Sequence, residues 1–170
     1  MQTAYDFEFN SIDGMSKIKL KDFTDKLIFI VNTASLCSFT KQYTDMQRIW
    51  EIYRNRDLIV IAVPSNNFGN QELGNNRDIS NLCQAKFGTS FLVTEKLEVV
   101  GNNSHPFFTW LRDQLGWFAG PRWNFYKFII GTDGKPITWF SSLTPPLHNK
   151  ILSVINLNIN KINEQRDKDE

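Results

Sequence analysis

Apolar positions along this chain follow two rhythms. Leu27 to Val31 and Leu58 to Val63 are continuous apolar runs rich in β-branched residues, the pattern of strands buried on both faces. Pro64 follows the second run and predicts its end, because proline brings no N–H to a ladder. Between the two runs, Tyr43, Met46, Ile49, Trp50 and Tyr53 recur at helical spacing and predict an amphipathic helix from about Thr40. Ile79, Leu82, Cys83 and Phe87 form a second helical face, with Gly88 placed to end it. Ser104 is positioned to cap a third helix, with Pro106 in its first turn and Gly116 beyond Leu115. Thr144 and two prolines open a last helix, whose inner face carries Leu147, Ile151, Ile155, Ile159 and Ile162.

Two turn dipeptides fill in the rest. Asp13-Gly14 lies between Asp6 to Asn10 and Ile18 to Leu20 and predicts a short N-terminal hairpin. Asp133-Gly134 does the same for Phe125 to Ile130 and Ile137 to Phe140. Strand, helix, strand, helix, hairpin and helix make an α/β sandwich with a mixed central sheet flanked by helices. That order fits a thioredoxin-like fold with an insertion between its βαβ and ββα halves. No repeat or Pro/Gly-rich linker divides the 170 residues, so one domain over 1–170 is expected, with a charged, frayed tail from Glu164 to Glu170.

Composition narrows the classes of function. A formal net charge of +1 provides no field that would select nucleic acid or an anionic membrane. Met1 to Asn10 has acidic residues and no apolar core of a leader, and the longest apolar runs are too short to span a bilayer. A soluble, cytoplasmic chain is the expectation. Two cysteines are too few for a secreted disulfide scaffold, so Cys37 and Cys83 are either buried and inert or redox-active. His105 and His148 form no close-spaced ligand pair with them, so no metal site is expected, and the proposed chemistry calls for no organic cofactor.

Cys37 is the residue with the clearest chemical promise. It falls between a buried strand and a helix, where free backbone N–H groups and the helix dipole favour a thiolate, the reactive form of the side chain. Most free cysteines are small buried hydrophobes, but Ser35, Ser38 and Thr40 make this neighbourhood polar.

Three segments together resemble the glutathione peroxidase family and span nearly the whole chain. Asn32 to Thr40 (NTASLCSFT) is similar to the segment that carries the family's reactive cysteine or selenocysteine, although Ser38 stands where a glycine is usual. Pro64 to Glu72 (PSNNFGNQE) resembles the second motif, and Trp123-Asn124-Phe125 with Lys127-Phe128 the third. The resemblance implies a catalytic set of cysteine, glutamine, tryptophan and asparagine, in which Cys37, Trp123 and Asn124 match. The dipeptide before Phe-Gly is Asn-Gln in the family and Asn66-Asn67 here, which puts Asn67 in the glutamine position with one methylene less. Gln71 offers a second amide, at a place where the family also has glutamine.

These groups can donate to the Cys37 sulfur and to a leaving oxygen. Cys83, in Leu82-Cys83-Gln84, sits where the thioredoxin-using branch of the family has its resolving cysteine, and the resemblance implies a disulfide with Cys37; if the two sulfurs start far apart, forming it requires local unwinding. Read on its own, Cys83 is a packed residue on an apolar helix face. The short Leu111 to Trp123 segment is similar to the monomeric branch, whose open cleft admits lipid hydroperoxides. The expected partners are a peroxide substrate and thioredoxin or glutathione as reductant. A glutathione-dependent enzyme that leaves Cys83 idle and a slow redox sensor or relay are the other readings. Arg122 and Lys127 are candidate glutathione contacts without specific support.

Overall fold

The computed structural model describes residues 1–169. Its centre is a five-stranded sheet in the order β5-β4-β3-β6-β7. Strands β3 (Leu27–Thr33) and β4 (Leu58–Pro64) are buried at every position and pair in parallel, with Leu27 opposite Leu58 and Thr33 opposite Pro64. This is the burial on both faces that the unbroken apolar runs encode. On the other side of β3, strand β6 (Lys127–Ile130) pairs antiparallel, and β7 (Pro136–Phe140) pairs antiparallel with β6. A separate two-stranded ribbon, β1 (Glu8–Asn10) with β2 (Lys17–Lys19), is the expected N-terminal hairpin.

Four helices cover the sheet: α1 (Gln42–Tyr53), α2 (Asn76–Phe87), α3 (Pro106–Leu115) and α4 (Asn149–Asp169). Alternating residues of β3 divide the interior into two apolar layers. Leu27, Phe29 and Val31 face a layer with α1, α4 and Cys83, while Ile28 and Ile30 face one with α3 and the N-terminal hairpin. The aromatic richness goes mainly into the second layer, where Phe7, Phe107 and Trp110 pack ring against ring.

Several boundaries differ from the sequence reading for local reasons. Gln42, not Thr40, begins α1, because Thr40 belongs to the preceding turn. His105 rather than Ser104 caps α3, its ring accepting the Phe107 N–H. The Pro145-Pro146 segment forms a turn, so α4 starts at Asn149. Strand β6 begins at Lys127 because Phe125 is left-handed, φ 63°, and cannot extend the ladder. The short strand β5 (Leu92–Val93) has no two-residue period long enough to read. Helix α4 runs through the charged segment to Asp169, and Arg166 pairs with Asp57 at 2.6 Å; Glu170 lies outside the described residues. None of the described helices is long and apolar enough to cross a membrane.

Candidate active site

The site is assembled at one end of the sheet, where β3 and β4 run out into loops. After Thr33, residues Ala34 to Lys41 make a tight excursion before α1. Thr40 organises it. Its Oγ1 accepts the Cys37 N–H at 3.0 Å, and the hydroxyl lies 2.6 Å from the Cys37 carbonyl oxygen and 3.0 Å from that of Ala34. With its own N–H so engaged, Cys37 draws on the next turn: the Phe39 N–H donates to Sγ at 3.4 Å. The sulfur therefore sits over the turn that leads into α1, with a backbone N–H aimed at it. Cys37 is 8% exposed and lies between exposed Leu36 and Ser38.

Gln71 ties this loop to the rest of the site. Its backbone carbonyl accepts the Leu36 N–H at 2.8 Å, and its side-chain Oε1 accepts from Asn124 Nδ2 at 3.0 Å. Gln71 Oε1 thus faces Asn124, which leaves its NH₂ free to act as a donor. Asn67 has a different occupation. Its Oδ1 accepts the Val99 N–H at 2.7 Å and the Ser65 hydroxyl at 2.9 Å, which holds the loop after β5 against the end of β4. The amide that the structure brings to Asn124 is that of Gln71, not Asn67. Both stand in the same motif, and only the fold of the Phe68–Asn70 turn, with Gly69 and Asn70 left-handed, tells them apart.

The third segment is a turn held from beneath. Asn124 is fully buried, while Trp123 is 37% exposed with its ring 6.0 Å from that of Phe68. Asn32, in β3, grips the turn at four points. Its Nδ2 donates to Trp123 O and its Oδ1 accepts Tyr126 N–H, while its backbone carbonyl accepts Phe125 N–H and its backbone N–H donates to Tyr126 O. Ser142 Oγ donates to Asn124 O at 2.5 Å. Beneath lies Lys127, fully buried, its ammonium donating to Phe125 O at 2.6 Å and Ser141 O at 3.2 Å. Burial pushes Lys127 down to about 7, against a smaller opposing pull from Asp45. This role was not legible in the sequence, where Lys127 is one exposed-type residue in an apolar strand.

Cys83 lies on the buried face of α2, 1% exposed and in the same apolar cluster as Cys37, Tyr43 and Phe125. Both cysteines are free thiols. Burial pushes the Cys83 thiol up to about 11, with the Glu72 charge adding to the rise and the Tyr43 hydroxyl opposing it. Cys83 also borders a cavity of about 370 Å³ between α2 and the N-terminal hairpin, lined in part by Ile18, Phe23 and Phe91. Arg122 does not reach this chemistry; its guanidinium stacks over exposed Trp117 and Phe118 at 4.2 and 4.7 Å.

Known proteins share both the sequence and the architecture. The family model described as glutathione peroxidase matches residues 4–112. A hydroperoxy fatty acid reductase of Synechocystis sp. is 38% identical over 152 residues, which cover 85% of this chain and 89% of that protein. The solved structure of Trgpx in apo form superposes with a TM-score of 0.75 at 30% identity, covering 94% of this chain and 96% of that one. A thiol:disulfide interchange protein of the thioredoxin family from Chlorobium tepidum matches in fold alone, with a TM-score of 0.65 at 13% identity over 90% of this chain and 92% of its own. The fold is thioredoxin-like, and the chain belongs to the glutathione peroxidase family.

Proposed function

We infer that this protein is a thiol peroxidase that reduces hydrogen peroxide and organic hydroperoxides through Cys37 and recovers through a disulfide with Cys83. The observation that carries the reading is a buried sulfur with a backbone N–H directed at it, on a loop joined through Gln71 to Asn124. In the first step the Cys37 thiolate attacks one peroxide oxygen. The O–O bond breaks, the sulfur takes that oxygen as a sulfenic acid, and the other oxygen leaves as water or alcohol once protonated. Phe39 N–H holds the nucleophile; the Gln71 NH₂ and the Trp123 indole are the donors assigned to the departing oxygen, and Asn124, whose Nδ2 donates to Gln71 Oε1 and Phe68 O, orients the Gln71 amide. The likeness to a hydroperoxy fatty acid reductase supports lipid hydroperoxides within the substrate range.

In the second step Cys83 condenses with the sulfenic acid, and a thioredoxin-like dithiol then reduces the disulfide by exchange. Two free cysteines are in keeping with a reducing, cytoplasmic setting, and the short Leu111 to Trp123 segment with a monomer. Mass spectrometry after one equivalent of peroxide tests the cycle. The expected product has lost two hydrogens, mapped to Cys37 and Cys83; a stable sulfenic or sulfinic acid on Cys37 with Cys83 still alkylatable defeats it.

One observation favours the glutathione-dependent reading. Cys83 is closed off from solvent, and its thiol is harder to ionise than usual. Turnover with each reductant decides: Cys83→Ser should abolish thioredoxin-supported turnover, and undiminished turnover with glutathione in that variant would assign the recycling to glutathione.

A further inference from the structure

Between the loop of Cys37 and the helix of Cys83 lies a buried group of polar atoms that the peroxide-reducing step does not use. The Tyr43 hydroxyl and Glu72 Oε2 are both inaccessible and lack a hydrogen-bond partner among the described residues, as do the hydroxyls of Thr33 and Ser35. Glu72 is 5% exposed, yet only one of its oxygens is engaged: Oε1 accepts the Ser35 N–H at 3.1 Å and the Leu73 N–H at 2.8 Å. Its backbone N–H is fixed by Asn66 Oδ1 at 3.0 Å. The carboxylate is therefore anchored to the loop two residues before Cys37, with a free oxygen turned into the interior. Tyr43 and Cys83 pack in one buried cluster, the Cys83 thiol and the Glu72 charge both act on the Tyr43 hydroxyl, and the same charge bears on Cys83 itself. A buried carboxylate with an unused oxygen is costly unless something compensates for it.

We propose that Glu72 is the proton acceptor for Cys83 in the disulfide-forming step, directly or through the Tyr43 hydroxyl. The proposal rests on the reading of Cys83 as the resolving residue. A thiol pushed up to about 11 holds on to its proton at neutral pH and cannot attack unaided. Desolvation raises Glu72 above its ordinary value, which makes its carboxylate a stronger base than a solvated one. The step balances. The Cys83 S–H proton passes to Glu72 Oε2, and the thiolate attacks the Cys37 sulfenic sulfur. The S–S bond forms as the S–O bond breaks. The departing hydroxide takes the proton back from Glu72 as water. Cys83 sulfur is oxidised, Cys37 sulfur is reduced, and Glu72 returns to its starting state. Because Oε1 is tethered beside Ser35, the base stays near Cys37 when α2 opens to deliver Cys83.

Glu72→Gln keeps the acceptor for Ser35 and Leu73 and removes only the charge and basicity. With the full chain and one equivalent of hydrogen peroxide, stopped-flow consumption of peroxide should stay within about twofold of wild type. Formation of the Cys37–Cys83 disulfide at pH 7 should slow by at least tenfold, with sulfenic acid accumulating as a dimedone adduct. The variant's disulfide rate should climb with pH as solvent hydroxide replaces the missing base, whereas the wild-type rate stays nearly flat between pH 7 and 9. Glu72→Asp, which retains a carboxylate, should restore the flat profile at reduced rate. Equal disulfide rates in wild type and Glu72→Gln overturn the proposal. So does a slowing of both steps with an unchanged pH profile, the mark of a purely structural role. Absence of the disulfide in the wild-type chain is a separate result, seen without any variant, and removes the resolving reading together with this one.

Discussion

Two amides four residues apart have different partners. Asn67 Oδ1 satisfies the Val99 N–H, and Gln71 bridges Asn124 and Leu36. Their truncations should therefore fail differently. Gln71→Ala is expected to lower the rate of peroxide reduction by about 10–100-fold, the scale of losing a donor to developing charge, alongside a stability cost of about 1–3 kcal/mol because buried Asn124 Nδ2 loses an acceptor. Asn67→Ala should cost about 1–3 kcal/mol in chemical denaturation, because a backbone N–H loses its acceptor, while the folded fraction reduces peroxide at a near-normal rate. A reversal of the two phenotypes would return Asn67 to the catalytic set. Cys37, Trp123 and Asn124 were readable as motif residues. Which amide serves them was not, because the choice depends on left-handed Gly69 and Asn70, which bend the chain between the two. Asn32, Thr40 and Glu72 were also hidden: each acts by binding backbone groups, Asn32 and Glu72 far along the chain and Thr40 within its own turn, and side-chain periodicity leaves no trace of that.

At the scale of elements, α2 is the lightly fastened part of the molecule. Only Ile79 and Cys83 are buried on it, and a cavity lies alongside. Its ends are set by Asn75, whose Oδ1 accepts the Asp78 N–H at 2.8 Å, and by left-handed Gly88. Such a helix can open locally at a fraction of the cost of global unfolding. Asn75→Ala should destabilise it by about 1 kcal/mol, and if opening limits disulfide formation, the rate should rise by about fivefold in stopped flow. An unchanged or slower rate would show that opening is not the limiting event. The elements themselves were largely predictable: the buried strands, the amphipathic α1 and the Gly88 stop follow from period and cap. Less predictable were termini governed by turns, such as Thr40 before α1 and the prolines before α4, and β5, which owes its existence to the β4 edge rather than to its own two residues.

For the whole molecule the clearest consequence concerns stability and pH. Lys127 loses its proton near pH 7 when folded and near its ordinary 10.5 when unfolded. Between these values the unfolded chain binds more protons, so stability rises with pH; below about 7 both states are charged and the cost of burial is felt in full. Cys83 acts in the opposite sense, since its folded thiol keeps its proton from 9 up to about 11. Denaturation midpoints between pH 7 and 9 should therefore increase, with a slope of at most about 1.4 kcal/mol per pH unit. Lys127→Met should flatten that slope, and an identical slope in the variant would mean that the ammonium is not the source.

The grip of Asn32 on the Trp123–Tyr126 turn has a bearing on how this scaffold can diversify. Because one carboxamide on the central strand indexes the two halves of the reaction centre to each other, their spacing is inherited from sheet register and not from the length of the chain that joins them. Insertions or deletions within residues 94–122 can then reshape what approaches the sulfur while its immediate surroundings stay in place. New substrate preferences are accessible by editing the periphery; replacing Asn32 would remove the two side-chain ties and leave the turn held by backbone alone.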